Sequence, residues 1–97
     1  MALLVKVKLL GTFRELYGKD QVAVELKEPT SVRRVIQKLA EALSDEFKRA
    51  IVDPELDDPR PNALLLVNGR EISALKGLET KVYDDDEIVI VPVTHGG

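Results

Sequence analysis

Four consecutive β-branched residues, Ile88-Val89-Ile90-Val91, stand close to the end of this 97-residue chain. They lack polar-apolar alternation, so the strand they form is apolar on both faces, the pattern of an interior strand and not of an edge. A final strand in the middle of a sheet must pair with strands formed early. One is legible at Leu3, Val5, Val7 and Leu9, which alternate with Lys6 and Lys8. If the two lie side by side and parallel, a helix must cover one face of the sheet.

That helix is predicted over about 31–43. Ser31 offers an N-cap hydroxyl, and Val32, Val35, Ile36, Leu39, Ala40 and Leu43 recur at spacings of three and four. Arg33, Arg34, Gln37, Lys38 and Glu41 form its polar face. Upstream, Val22, Val24 and Leu26 alternate with Ala23, Glu25 and Lys27, giving a second strand and hairpin partner. The segment between these strands, 11–18, begins and ends in glycine and reads as turn-rich.

Downstream, Ser44-Asp45-Glu46 can cap a short further turn bearing Phe47, Ala50 and Ile51, and 53–62 reads as an exposed loop. Leu64 to Val67 reads as a buried strand, Asn68-Gly69 as a tight turn, and Arg70-Glu71-Ile72 as a very short strand. Leu75, Leu78 and Val82 anchor the polar stretch that follows. Asp84-Asp85-Asp86 reads as a turn, since aspartate tolerates left-handed backbone. The last strand runs from Glu87 to Val93, with Pro92 marking where pairing stops. The order is ββαββ: an α+β domain with a mixed sheet of four to five strands and one main helix across one face.

A chain this short holds one core. With 44% apolar and 32% charged residues it has the balance of a folded soluble domain. No apolar run approaches the roughly 20 residues of a membrane span, and Lys6 and Lys8 interrupt the start, so a cytoplasmic location and no membrane partner are expected. The absence of cysteine removes disulfides and cysteine nucleophiles. A net charge of −3, clustered at Asp57-Asp58 and Asp84-Asp85-Asp86-Glu87, argues against direct nucleic-acid binding.

Thr94-His95-Gly96-Gly97 follow the last strand. Four extended residues reach about 13 Å, and two glycines without Cβ atoms can thread a cleft too narrow for side chains. The expected organisation is therefore a domain over 1–93 and a flexible tail over 94–97. The terminal carboxylate of Gly97 is ionised at neutral pH and can attack the α-phosphate of ATP. The resulting acyl adenylate is open to a thiol, a persulfide or an amine.

Phe13-Arg14-Glu15-Leu16-Tyr17-Gly18, Val67-Asn68-Gly69-Arg70-Glu71 and Asp86 to Gly97 together resemble the molybdopterin synthase small subunit, the thiamine sulfur carrier and the ubiquitin-related modifiers. These are ubiquitin-like β-grasp proteins ending in Gly-Gly. The resemblance implies that a ubiquitin-activating-type adenylating enzyme activates Gly97, using ATP. The product becomes a thiocarboxylate for the molybdopterin synthase large subunit or another sulfur acceptor, such as a tRNA uridine. In the molybdopterin branch the tail matching Thr94, His95, Gly96 and Gly97 inserts into the large subunit. The alternatives are a modifier conjugated through Gly97 to lysines of target proteins and a non-covalent interaction module with an idle terminus.

Leu4, Leu10, Val89, Val91 and Val93 are expected to face away from the helix as a partner surface. His95, the one histidine, lies beside the reactive end, but a mobile tail cannot hold an acid or base in fixed geometry. No catalytic residue, no permanently bound cofactor and no metal are assigned. Consecutive carboxylates point in different directions, and one histidine with no obvious nucleophile builds no triad. The chain reads as a carrier or subunit acted on by an enzyme.

Overall fold

The structure is a computed structural model that describes residues 2–93; Met1 and the expected tail, Thr94, His95, Gly96 and Gly97, lie outside the described residues. β1 (Leu3–Leu9) alternates as its sequence requires: Val5, Val7 and Leu9 are fully buried, while Leu4, Lys6 and Lys8 stay exposed. The next segment is not the irregular turn expected but a helix, α1 (Gly11–Tyr17). Its flanking glycines define its ends. Gly18 adopts φ +89° and returns its N–H to the Arg14 carbonyl, a left-handed helix stop. Phe13 supplies the stabilising contact by packing at 6.2 Å against Phe47.

β2 (Gln21–Leu26) pairs antiparallel with β1. β3 (Thr30–Ser31) is a two-residue strand running directly into α2 (Val32–Ala42). The Ser31 hydroxyl caps α2 by accepting from Arg34 N–H at 3.2 Å. Val32, Val35, Ile36, Leu39 and Ala40 are buried against the sheet, each large side chain contributing roughly 1.5–3 kcal/mol of apolar transfer. α3 (Asp45–Ile51) starts at a second serine cap, Ser44 to Phe47 N–H, and buries Phe47 and Ile51.

β4 (Ala63–Val67) and β5 (Arg70–Glu71) form a tight hairpin across Asn68 and Gly69, whose φ values of 49° and 86° are the left-handed pair read from Asn-Gly. Two short 3-10 turns, Ile72–Ala74 and Gly77–Glu79, bury Ile72 and Leu78. β6 (Lys81–Val82) then pairs with β3 as a separate two-stranded sheet. β7 (Glu87–Pro92) is the last strand among the described residues.

The main sheet has the order β2-β1-β7-β4-β5. β7 is interior, parallel to β1 and antiparallel to β4, as its double-sided apolar sequence demands. Ile88 and Ile90 are fully buried. Ahead of β7, each aspartate of the turn has its own task. Asp84 accepts from Leu4 N–H at 2.9 Å, Asp85 adopts φ 69° and pairs with Lys6 at 3.0 Å, and Asp86 accepts from Tyr83 N–H and Asn68 Nδ2. Among the described residues, no helix is long and apolar enough to cross a membrane.

Candidate functional site

The site expected from the sequence is the end of the chain, so the question is how the fold launches it. Val93 N–H donates to the Asn62 carbonyl at 3.0 Å, which makes 62 and 93 a hydrogen-bonded pair. Pro92, opposite Ala63, is then in a non-hydrogen-bonded pair. Its missing N–H is directed toward β1, where pairing has already ended at Leu9 and Ile90. The stop in pairing expected at Pro92 therefore holds only on the β1 side, where the last hydrogen bond is Leu10 N–H to the Ile90 carbonyl, while pairing with β4 continues through Pro92.

Where β1 ends, Gly11 makes room for that proline. A Cβ on Gly11 would lie 2.8 Å from Pro92 Cγ, and Gly11 itself has φ +56°. Glycine is thus required twice over, by its own backbone and by the ring it faces. Pro92 and Val93 thus lie between Gly11 and the 59–62 corner, where Asn62 and Ala63 both donate to the Pro59 carbonyl. Pro59 is buried within the loop 53–62 that was expected to be exposed throughout. Asp58 and Arg60 brace this corner, with Arg60 Nη2 2.6 Å from Asp58 Oδ2. The Arg60 hydrogen bond holds the Asp58 carboxyl below its ordinary pKa, against a smaller opposing push from burial.

The open face of the sheet carries most of the anticipated partner surface around this end of β7. Val89 and Val91 are half-buried, Val93 is exposed, and Leu10 at the head of α1 is half-buried. Leu4 stands apart at the other end of β1, exposed, opposite Glu25 and separated from Leu10 by Lys6 and Lys8. Sequence reasoning missed two members. Leu64 pairs with Val91 and Leu66 with Val89, and Leu64 is 39% exposed. The unbroken apolar run of β4 was the available signal, since it must present leucine on both faces. Thr94, His95, Gly96 and Gly97 belong to the part of the chain outside the described residues.

Residues 7–97 match the model of the ThiS family. The chain belongs to the ThiS family. An Archaeoglobus fulgidus protein described as a sulfur carrier is 34% identical over 71 residues, covering 72% of this chain and 77% of its own. The small archaeal modifier protein 1 of Methanosarcina acetivorans superposes with a TM-score of 0.82 at 29% identity, covering 100% of this chain and 99% of its own. A Pyrococcus furiosus protein described as molybdopterin converting factor subunit 1 superposes with a TM-score of 0.73 at 26% identity, covering 95% and 99%. The fold is therefore the ubiquitin-like β-grasp expected from the resemblance, and this ThiS-family member is of the sulfur-carrier and ubiquitin-like modifier kind.

Proposed function

We propose that the chain is an acyl carrier whose Gly97 carboxylate is activated by a partner adenylating enzyme. One observation supports this reading: the interior strand β7 ends beside an apolar patch of Leu10, Leu64, Val91 and Val93, and Val93 is the last of the described residues. A partner gripping that patch would hold the following four residues within about 13 Å of its own catalytic centre.

In the proposed reaction a carboxylate oxygen of Gly97 attacks the α-phosphate of ATP, and pyrophosphate leaves. A sulfide or enzyme persulfide then attacks the acyl carbon and AMP leaves; with a persulfide, a thiol reductant cleaves the acyl disulfide to free the thiocarboxylate. Within this scheme the small-subunit role in molybdopterin synthase is the first reading, supported by the Pyrococcus furiosus likeness and by the Phe13 to Gly18 segment, which spans most of α1 and its Gly18 stop. Conjugation to lysines is the second, supported by the likeness to the small archaeal modifier. In either role the chain is substrate or subunit, with ATP bound by its partner.

Intact-mass spectrometry tests the proposal. Incubation with ATP, a sulfur source and the adenylating enzyme should raise the mass by about 16 Da as oxygen becomes sulfur. Adduct ladders on lysines would select the modifier role. An unchanged mass, together with normal partner binding after deletion of Gly97, would leave the idle-terminus module standing.

A further inference from the structure

β2 is an outer strand of the main sheet, and its hydrogen bonding shows what it leaves free. Leu9 N–H donates to the Asp20 carbonyl at 2.8 Å. The register then makes Val22, Val24 and Leu26 the hydrogen-bonded partners of Val7, Val5 and Leu3. The main-chain N–H and C=O groups of Gln21, Ala23 and Glu25 therefore point away from β1. Only one of these has a partner among the described residues: Lys38 Nζ, reaching from α2, donates to the Glu25 carbonyl at 3.3 Å. An ammonium thus sits where the N–H of a further strand would sit.

Alongside the C-terminal end of this edge lies a hollow of about 310 Å³, lined by Leu26, Lys27, Glu28, Thr30, Arg34 and Lys38. Three of these residues are cations and one is an anion, in a chain whose net charge is −3. Among the described residues, Lys27, Arg34 and Lys38 enter no ion pair, whereas the adjacent Arg33 is committed to Glu79 at 2.9 Å. Edge strands are commonly protected by charge placed on the edge itself. Here Arg34 and Lys38 lie on α2 and Lys27 just past the strand, while of the three outward residues of β2 only Glu25 is charged and the middle one, Ala23, has neither charge nor bulk.

We propose that the free edge of β2 and this basic hollow form a docking groove for an extended acidic peptide segment of another protein. The segment adds as a further strand, exchanging main-chain hydrogen bonds with Ala23 and its outward neighbours, which repeat every roughly 6.6 Å as a strand partner requires. Lys38 gives up the Glu25 carbonyl to the incoming N–H, and its ammonium, with Lys27 and Arg34, turns to the carboxylates of the peptide. The groove belongs to the β2 edge of the sheet, whereas Val93, the last described residue, follows interior β7 on the other side of β1, so binding here is proposed to be independent of what becomes of Gly97.

The test is an NMR titration of the 15N-labelled full chain with a synthetic peptide of three Thr-Val repeats followed by four glutamates. Amide shifts are expected at Ala23, Glu25, Arg34 and Lys38, with hydrogen exchange of Ala23 slowed about tenfold or more on saturation. Replacing the glutamates by glutamine, or the chain's Arg34→Glu with Lys38→Glu, should weaken binding about tenfold or more. Ala23→Pro removes an outward N–H without touching the β1 ladder and should abolish strand addition; if it melts early, the Arg34→Glu, Lys38→Glu variant decides. Shifts confined to the Leu64 and Val91 face would overturn the proposal, as would equal affinity for a lysine peptide or for polyuridylate. Sedimentation showing the chain dimerised through β2 without peptide would replace it with a self-association.

Discussion

Gly11→Ala most directly probes how the end of β7 is seated. The substitution asks an L-residue to hold φ +56°, which costs about 1 kcal/mol or slightly more. It also sets a Cβ 2.8 Å from Pro92 Cγ, so either the ring or the α1 corner must shift, for about 1–2 kcal/mol of overpacking. The expected loss is about 2–3 kcal/mol, or roughly 10 °C or more in Tm for a domain of this size. Urea denaturation with an unchanged m-value measures it. A double-mutant cycle with Pro92→Ala separates the parts. Without the ring the steric component disappears and only the backbone component, about 1 kcal/mol, remains, giving a coupling of about 1 kcal/mol or more. A loss under about 0.5 kcal/mol, or the same loss in both backgrounds, would refute the claim that Gly11 seats the end of β7.

Adjacent leucines of β4 should respond oppositely: Leu65→Ala, at a side chain 1% exposed, is expected to cost about 2–5 kcal/mol, and Leu64→Ala, 39% exposed, under about 1 kcal/mol, both read by denaturation. If the proposed adenylation holds, Leu64→Ser with Val91→Ser should slow it about tenfold or more while far-UV dichroism stays unchanged. Ser31→Ala removes the acceptor for Arg34 N–H and should cost about 1 kcal/mol of stability in the same assay. The folded-state pKa of Asp58 is depressed, so its contribution is fully present above the unfolded value of about 3.9 and is lost as pH falls through the lower folded value. Asp58→Asn should therefore reduce stability at neutral pH and flatten its decline below about pH 4, measured by denaturation across pH.

The likeness to carriers and modifiers alike has a structural basis. Both kinds of relative share the β-grasp, and in this chain its last described strand is interior. Because β7 is clamped by β1 and β4 on either side, pulling on its end loads two ladders at once and not a fraying edge. Serine caps at Ser31 and Ser44, a left-handed Asp85 and the Asn68 clamp on Glu87 and Asp86 hold the rest with local hydrogen bonds.

Periodicity alone determined β1, β2, α2 and the interior placement of β7, and turn chemistry alone determined the geometry at Asn68 and Gly69. Each of these is set by the covalent preferences of a few neighbouring residues, so each is written locally. The helix α1 was not legible, because glycines at 11 and 18 look like turn punctuation until Phe47 arrives from α3 to hold Phe13. Nor were the two-residue strands β3 and β6, too short to show a period and existing only as each other's partners. Among the open-face positions, Leu10, Val89, Val91 and Val93 were assigned from the two-residue period of a strand, while Leu64 and Leu66 joined them only once β4 was placed beside β7. Which face of an unbroken apolar strand stays open depends on where α2 lies, and that is a property of packing between segments far apart in the chain.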